Sequence, residues 1–505
     1  MKKGQIYEGV VERMDFPNKG IVRVDAEELK GVDGEGAGQG AEYAAVKDAL
    51  PGRRIAFVVT KRRGGKYEGR QKYVVAVADC ENAALAQNVS CPHAGICGGC
   101  LYRNFPYAET LRIKEAQVKK LLEGYAAGAV YDGIIASPEE DGYRNKMEYT
   151  FGDEYRDGPL ALGLHKRGSF HDILNVADCR IAPADFGKIL EYTLAFFSER
   201  KVPYYHRMKH EGILRHLLLR RSHADGSLMA GLVTTSGLDE ALAEEWCRGL
   251  MQLALAGKVA SVLHVINDSQ ADAVKCDRLV RLSGEEYLAE ELLGMKFKIS
   301  PFSFFQTNSA GAERLYSLAR EYLLKEREDG ERGQGTVFDL YSGTGTIAQI
   351  VSPAAEKVVA VEIVEEAVEA ARENAGLNGI RNCTFIAADV LKALDEIEER
   401  PDYIILDPPR DGIHPKALKK ILDYAVDRLI YISCKPTSLA RDMEAISAAG
   451  YHVVRWGMVD MFPYTGNVEV ATLLERVRNA KEHIEITIDA EDYYRIKDSE
   501  KKQDE

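Results

Sequence analysis

One thiol, Cys434, lies at the end of an apolar run in the stretch YISCKPTSLA. The run begins at Leu429, so the thiol falls where a predicted strand ends and a helical pattern begins. Lys435 follows it, and Thr437 is of a residue type that caps helix N-termini. A cation and a helix N-terminus both favour the thiolate. The sequence therefore predicts a nucleophilic cysteine here, although many free cysteines serve only in packing.

A carboxylate, Asp407, ends the preceding predicted strand in the motif LDPPR. Two prolines remove backbone N–H donors and stiffen the turn, which holds Asp407 at the edge of the sheet where ligands of open α/β sheets bind. Enzymes that methylate exocyclic amines have a similar motif with an aromatic residue after the prolines. Arg410 stands in that place here, which argues against an amine acceptor.

A nucleotide-like pocket is predicted around the stretch YSGTGTIA, where Gly343 and Gly345 allow a tight turn and close approach of a ligand. Glu362 lies nineteen positions after Gly343, where a carboxylate would bind ribose hydroxyls, and this spacing also fits a dinucleotide. Asp339 would repel a pyrophosphate but attract the ammonium and sulfonium of S-adenosylmethionine. The charge therefore favours S-adenosylmethionine, with Asp389 placed to meet the adenine amino group.

A thiol beside a methyl-donor pocket suits methylation of uracil at C5. Carbon 5 is a weak nucleophile until a thiolate adds at C6 and creates an enolate, and a base must then remove the C5 proton. The last two predicted strands, 451–456 and 468–474, have no helix between them, so the final strand is expected to be antiparallel. Its first residues would then bring Glu469 toward Cys434 across 34 intervening residues.

Three predicted regions position these side chains. Residues 1–80 alternate short Val and Ile runs with glycine-rich turns, which predicts a small β-barrel. Residues 81–300 carry mixed helix and strand patterns. Residues 301–476 alternate strands with amphipathic helices, which predicts a Rossmann-like, doubly wound α/β methyltransferase domain, and residues 477–505 form a charged tail.

Charge and hydropathy indicate the compartment and the partner. The chain of 505 residues has a net charge of −13, no apolar stretch long enough to span a membrane and no signal peptide, so we expect a cytoplasmic protein. Residues 51–72 contain eight Lys or Arg and one acid, and residues 201–221 contain six with several His and Tyr. These runs predict an RNA-binding surface, although an isolated charge run is often only a solvated face.

The chain closely resembles the RNA uracil-5-methyltransferase family from residue 1 to about residue 475. The resemblance rests on an OB-like barrel of the TRAM type and on the motifs CPHAGICGGC, SPFSFFQTN, DLYSGTGTIA, LDPPRDG, YISCKP and TGNVE. It implies S-adenosylmethionine as cofactor, Cys434 as nucleophile and Glu469 as base. It also implies that a further set of residues lines the cofactor and target-base pocket: Gln306, Tyr341, Thr346, Glu362, Asp389 and Asp407. The family usually has His two positions before the glutamate; this chain has Asn467, which cannot titrate near neutral pH.

Three of the nine cysteines, Cys91, Cys97 and Cys100, form a C-x5-C-x2-C cluster. Thiolate ligands suit either zinc or a four-iron cluster, and the spacing does not choose between them. The resemblance implies Cys179 as the fourth ligand and an iron-sulfur [4Fe-4S] cluster with a structural role. Four others, Cys80, Cys247, Cys276 and Cys383, are expected to be packing residues.

The main hypothesis is an RNA uridine C5-methyltransferase that acts as a monomer without a membrane partner. The resemblance favours 23S ribosomal RNA, because family members with both the barrel and the cysteine cluster tend to act on large-subunit RNA. The T-loop uridine of tRNA is the alternative substrate. A non-catalytic RNA-binding or assembly factor is the competing class. Cytosine C5-methylation would use the same thiol chemistry, but its usual prolyl-cysteine pair is absent because Ser433 precedes the thiol.

Overall fold

The computed structural model describes residues 1–33, 40–86, 91–169, 171–270, 276–324 and 335–477. The predicted charged tail of residues 477–505 lies outside the described residues except for Val477.

The N-terminal region is a closed barrel of five strands, which confirms the predicted barrel. Its elements are β1 (Ile6–Asp15), β2 (Lys19–Val24), α1 (Ala26–Asp33), β3 (Glu42–Lys47), β4 (Arg54–Arg63), β5 (Lys66–Ala76) and α2 (Asp79–Ala86). Alternate residues of the strands point inward and form one core that includes Tyr7, Val22 and Phe57. The β4–β5 hairpin carries the basic run on its outer face.

The central region contains a seven-stranded sheet in the order β13-β12-β11-β10-β7-β8-β9 and the separate hairpin β14–β15. Along this part of the chain the elements are α3 (Tyr107–Leu122) and β6 (Val130–Ile135), which pack with the C-terminal sheet described below, followed by β7 (Lys146–Asp153), β8 (Leu160–His165), β9 (Ile173–Leu174), α4 (Ala184–Glu199), β10 (Leu214–Arg221), β11 (Leu228–Thr234), α5 (Glu240–Leu250), β12 (Val259–Ile266), β13 (Arg278–Gly284), β14 (Leu288–Leu292) and β15 (Met295–Ile299). Phe186 of α4 and Trp246 of α5 pack with Leu217 of β10 in the core of this region.

The C-terminal region is the predicted doubly wound α/β fold, with an eight-stranded sheet in the order β18-β17-β16-β19-β20-β22-β21-β6. Its elements are α6 (Ser309–Leu324), β16 (Thr336–Leu340), α7 (Thr346–Val351), a 3₁₀ turn (Ser352–Ala354), β17 (Lys357–Glu362), α8 (Glu365–Leu377), β18 (Cys383–Ala387), α9 (Val390–Glu396), β19 (Tyr403–Leu406), α10 (Pro415–Asp423), β20 (Arg428–Ser433), α11 (Pro436–Ala448), β21 (Tyr451–Val459) and β22 (Glu469–Arg476). Apolar clusters cover both faces of this sheet, as expected for buried parallel strands.

The last strand, β22, runs antiparallel between β20 and β21, as predicted from the missing helix. The eighth strand, β6, comes from far earlier in the chain and pairs in parallel with β21. The helix before it, α3, buries Val118 and Leu122 in the same core as Val470 of β22. Residues 107–135 therefore pack as part of the C-terminal sheet.

Candidate active site

Cys434, Asp407 and Glu469 meet at one edge of the C-terminal sheet. Cys434 follows the last residue of β20, and Asp407 follows the last residue of β19. The antiparallel register pairs Ser433 with Val470, so the next opposed positions are Cys434 and Glu469. The thiol is partly exposed, so it is open to a substrate.

The surroundings of the Cys434 thiol raise its pKa, so the expected stabilisation of the thiolate by Lys435 and the helix N-terminus is wrong. Burial, followed by the nearby carboxyls of Glu469 and Asp407, raises the pKa of Cys434 to about 11, and Arg410 lowers it only in part. The Lys435 ammonium lies 3.9 Å from Asp411 instead. The free protein therefore holds a neutral thiol at pH 7.

The prediction that Thr437 caps a helix is also wrong. The helix α11 begins one residue earlier, with Pro436 in its first turn, and Lys435 is the N-cap residue. Proline is favoured at this first helical position because it has no N–H to leave unpaired. Thr437 thus lies inside the first turn, and within the described chain no side chain caps this helix.

Three carboxyl groups, two beside the thiol and one beside Asp407, are protonated more readily than usual. Burial and then Asp407 raise the pKa of Glu469 to about 8, with Arg410 opposing them, and burial raises the pKa of Asp407 to about 7. Burial and then Asp407 also raise the pKa of Asp339 to about 8. These groups cannot all be ionised cheaply in one site, so each of them is partly protonated near neutral pH.

Asp339 is fully buried at the end of β16, and neither of its carboxylate oxygens has a hydrogen-bond partner among the described residues. The Ala348 N–H is near enough to lower its pKa in part, although it forms no hydrogen bond of normal geometry. A buried acid without partners is costly. It is therefore suited to a ligand that brings a cation or a hydrogen-bond donor.

The glycine-rich loop between β16 and α7 has the geometry of a ligand-binding turn. Tyr341, Gly343 and Gly345 have positive φ angles of 70°, 54° and 69°. A Cβ atom on Gly345 would come within 2.6 Å of the Phe385 ring, so this position accepts only glycine. The Gly343 N–H donates to Glu362 Oε2 at 3.0 Å, which fixes the carboxylate beside the loop.

The remaining predicted pocket residues differ in their surroundings. Thr346 is the first residue of α7, and its hydroxyl lies 3.3 Å from the Thr344 hydroxyl. Asp389 is exposed and caps α9 by accepting the Leu391 N–H at 3.0 Å, so it already has a structural role. It also lies near enough to Tyr341 to help burial raise the pKa of that hydroxyl to about 12.

Tyr316 is a pocket residue that the sequence did not predict. It lies on α6, is 4% exposed, and its hydroxyl is hydrogen-bonded to the Gln306 side chain. Burial raises its pKa, followed in effect by Asp407, with smaller contributions from Glu469 and Asp339. Tyr316 therefore lies among the three acids. A tyrosine at a core position of an amphipathic helix gives no signal that separates this role from packing.

The four predicted ligand cysteines, including Cys179, line one small pocket together with Arg103. Burial is the main cause of the raised pKa values of Cys100 and Cys179, and the neighbouring thiols add to it. Among the residues with described positions, no group of three or more His, Cys, Asp or Glu side chains is arranged to hold a metal ion. The thiols are thus gathered on one pocket but are not set at coordinating distances. An all-thiol donor set fits a four-iron cluster or zinc.

The two basic runs have different surroundings. On the β4–β5 hairpin a row of cations is exposed: Arg62, Arg63, Lys66, Arg70 and Lys72. In the second run, Arg215 and Arg220 are buried, and Arg220 donates to the Pro301 carbonyl oxygen at 3.4 Å. Arg215 and Arg220 therefore contribute nothing to an exposed basic surface, and an RNA-binding face formed by the other cations of this run stays a prediction. In the described chain, no helix has both the length and the apolar character to cross a membrane.

Comparison with known proteins shows the same fold and sequence pattern elsewhere. A family profile described as tRNA (uracil-5-)-methyltransferase matches residues 225–477. An uncharacterized RNA methyltransferase of Clostridium acetobutylicum is 42% identical over 477 residues, which cover 94% of this chain and 99% of that protein. One of Caldanaerobacter subterraneus is 43% identical over 477 residues, which cover 94% and 100%.

Among solved structures, the Pyrococcus abyssi tRNA (uracil-54, C5)-methyltransferase in complex with S-adenosyl-L-homocysteine is similar, with a TM-score of 0.67 at 23% identity. The match covers 92% of this chain and 100% of that chain. At this identity the likeness supports the fold alone.

Proposed function

This chain belongs to the tRNA (uracil-5-)-methyltransferase family and is an RNA methyltransferase, and we propose that it methylates C5 of a uridine through a covalent bond between Cys434 and C6. One observation carries the proposal. Cys434 and Glu469 occupy opposed positions at the sheet edge, and Asp407 lies near both of them. Asp407 also lies near the buried, unpartnered Asp339, which in turn lies near Glu362. A nucleophile and a base thus lie next to a pocket suited to a cationic methyl donor.

The donor in this proposal is S-adenosylmethionine, which supplies an electrophilic methyl group when it is bound. Asp339 offers a buried carboxyl to the cationic part of the donor, and Glu362 offers a carboxylate to its ribose hydroxyls. Four further residues complete the proposed pocket for the donor and the target base: Gln306, Tyr341, Thr346 and Asp407. In this proposal Asp389 accepts a hydrogen bond from the adenine amino group of the donor and also caps α9.

The proton of the Cys434 thiol has a defined route in this site. As sulfur bonds to C6, the thiol proton passes to Asp407, whose pKa of about 7 leaves part of it ionised near neutral pH, or to water, and C5 acquires the negative charge of the enolate. Glu469 takes no part in the addition and must be ionised for the next step, which its pKa of about 8 permits for a fraction of the molecules near neutral pH. After C5 has gained its methyl group, Glu469 removes the C5 proton, the carbon–sulfur bond breaks, and the thiolate leaves.

Asn467 takes no part in proton transfer, which is carried out by the carboxyl groups of Glu469 and Asp407. Its backbone N–H donates to the Thr465 hydroxyl at 3.2 Å, which helps to form the turn before Glu469. Its amide side chain cannot take up a proton near neutral pH. The raised pKa values of Glu469 and Asp407 place both groups where they exchange protons at physiological pH.

Transfer of labelled methyl groups from S-adenosylmethionine to uridine-containing RNA tests this function. We expect wild-type protein to form 5-methyluridine, Cys434→Ala to form none, and Cys276→Ala, which changes an exposed cysteine elsewhere, to keep wild-type activity. Methylation by Cys434→Ala at the wild-type rate would refute the covalent mechanism.

We propose 23S ribosomal RNA as the substrate, with the barrel as an RNA-binding module. The exposed cations of the β4–β5 hairpin support backbone contact with a large RNA. Mapping of 5-methyluridine in a deletion strain tests this choice. Loss of one methyl group from 23S RNA is expected, whereas a loss confined to the T loop of tRNA would contradict it. We further propose that the enzyme acts in the cytoplasm as a monomer.

We also propose that Cys91, Cys97, Cys100 and Cys179 hold a structural [4Fe-4S] cluster, with zinc as the alternative. Their placement on one pocket supports this assignment. Protein purified without air is expected to be brown and to contain iron and sulfide, and Cys179→Ser is expected to lose both. A colourless protein with stoichiometric zinc would contradict the iron-sulfur assignment.

A further inference from the structure

The loop of residues 460–468, here called the base loop, connects β21 to Glu469 at the start of β22. Its central residue, Tyr464, has φ 64°, a left-handed conformation that is unfavourable for a bulky side chain. The Tyr464 carbonyl accepts hydrogen bonds from the Leu101 N–H at 2.8 Å and the Tyr102 N–H at 2.9 Å. The donors belong to the cysteine loop, defined as residues 91–105. A strained residue of the base loop is thus held by the segment that carries three of the clustered thiols.

The side chain of Tyr464 contacts the same segment through Arg103 and a different segment through Glu140. The Arg103 guanidinium lies 4.2 Å from the centre of the Tyr464 ring, and the Tyr464 hydroxyl donates to Glu140 Oε2 at 2.6 Å. Arg103 is 3% exposed and pairs with Asp141 at 2.6 Å. Because Arg103 also lines the pocket of the four thiols, it contacts both the thiol pocket and the base loop.

The two ends of the base loop are fixed by other parts of the protein. The Lys114 ammonium, buried on α3, donates to Asp460 at 2.6 Å and to the Phe462 carbonyl at 3.0 Å. At the other end, a Cβ on Gly466 would come within 2.2 Å of Asn18 of the barrel. The base loop therefore has fixed ends, and its centre is held through Tyr464.

We propose that Arg103 and Tyr464 are positioning residues through which the cysteine loop sets the conformation of the base loop, and thereby the place of Glu469 opposite Cys434. The proposal rests on the proposed role of Glu469 as the base. None of the contacts described for Tyr464 involves β20, which carries the thiol. Loss of these contacts therefore impairs proton removal from C5 while leaving addition of the thiol to C6 intact.

Amide hydrogen exchange tests the positioning directly and needs no activity. In Arg103→Met the amides of Leu101, Tyr102 and the base loop are expected to exchange about tenfold faster than in wild type, since a desolvated cation–π contact is lost. Tyr464→Leu should do the same, and Arg103→Lys should restore much of the protection. Arg200→Met is the control, because Arg200 lies 3.8 Å from the ring of Phe196, which belongs to the separate core of the central region.

Trapping the reaction separates its two steps. With 5-fluorouridine RNA, in which C5 has no proton to lose, Arg103→Met should form the denaturation-resistant adduct at the wild-type rate. With ordinary uridine RNA the same variant should accumulate a methylated adduct that wild type releases. A variant with merely damaged packing would slow both steps together.

Several outcomes would overturn the assignment. In the exchange measurement, these are unchanged amide exchange in both Arg103→Met and Tyr464→Leu, or an equal change in the control Arg200→Met. In the trapping experiment, it is equal slowing of thiol addition and proton removal in Arg103→Met. Loss of bound metal from Arg103→Met would also overturn it, because the effect of Arg103 would then be on the thiol pocket. Wild-type protein that never methylates uridine would refute the proposed function, and the exchange measurement would still decide whether Arg103 holds the base loop.

Discussion

The ionisation of Glu469 should control the release of product. Burial and Asp407 raise its pKa to about 8, and Arg410 opposes them, so only about 1% of the carboxyl is ionised at pH 6 and about half at pH 8. If the carboxylate removes the C5 proton, decay of the methylated adduct accelerates about fiftyfold between these pH values and then levels off. The direction is upward with pH because the base must be deprotonated.

A pH-jump experiment isolates this step. The methylated adduct is formed on ordinary uridine RNA at pH 6 in a single turnover and then transferred to a series of pH values, and its disappearance is followed under denaturing conditions. Glu469→Gln should hold the adduct at every pH, whereas Glu444→Gln, which changes an exposed acid on α11, should keep the wild-type profile. A decay rate that is flat, that falls with pH, or that levels off near pH 4.5 would refute Glu469 as the base.

Three further predictions concern stability and RNA binding. Lys114→Met leaves Asp460 buried without its cation and should lower the free energy of unfolding in urea by about 3–5 kcal/mol, whereas an unchanged transition would contradict a contribution from this pair. The raised pKa of Asp339 means that the folded state binds more protons than the unfolded state between about pH 4 and pH 8. As the pH rises through that window, the free energy of unfolding should therefore fall by up to about 1.4 kcal/mol per pH unit. In thermal melts recorded across this pH range, Asp339→Asn should show a smaller decline than wild type. The double change Arg70→Ala and Lys72→Ala should make the slope of log affinity against log salt concentration shallower by about the equivalent of one to two phosphate contacts. An unchanged slope would mean that this face of the barrel does not contact RNA.

The sequence predicted the sheet and the meeting of Cys434 with Glu469 because both follow from local rules. Strands that alternate with helices place their ends at one edge, and two strands without a helix between them must run antiparallel. The helix boundary was less predictable: Pro436 favours the first helical position, so the cap fell on Lys435 and not on Thr437.

The electrostatics of the site could not be predicted from neighbours in sequence. Lys435 suggested a thiolate, but burial and the acids Glu469 and Asp407 dominate the pKa of Cys434, and these acids are brought there only by the fold. The pairing of β6 with β21 could not be predicted either, because the two strands lie more than 300 residues apart in the chain. The buried Arg220 likewise looks like a surface cation until its carbonyl partners are known.

The mass of a trapped peptide shows whether Cys434 forms the covalent bond to the pyrimidine. After incubation with S-adenosylmethionine and 5-fluorouridine RNA, digestion and mass spectrometry should find a peptide in which Cys434 carries a methylated 5-fluorouridine nucleotide. An adduct on another cysteine, or no adduct under conditions in which ordinary uridine is methylated, would contradict covalent catalysis by Cys434.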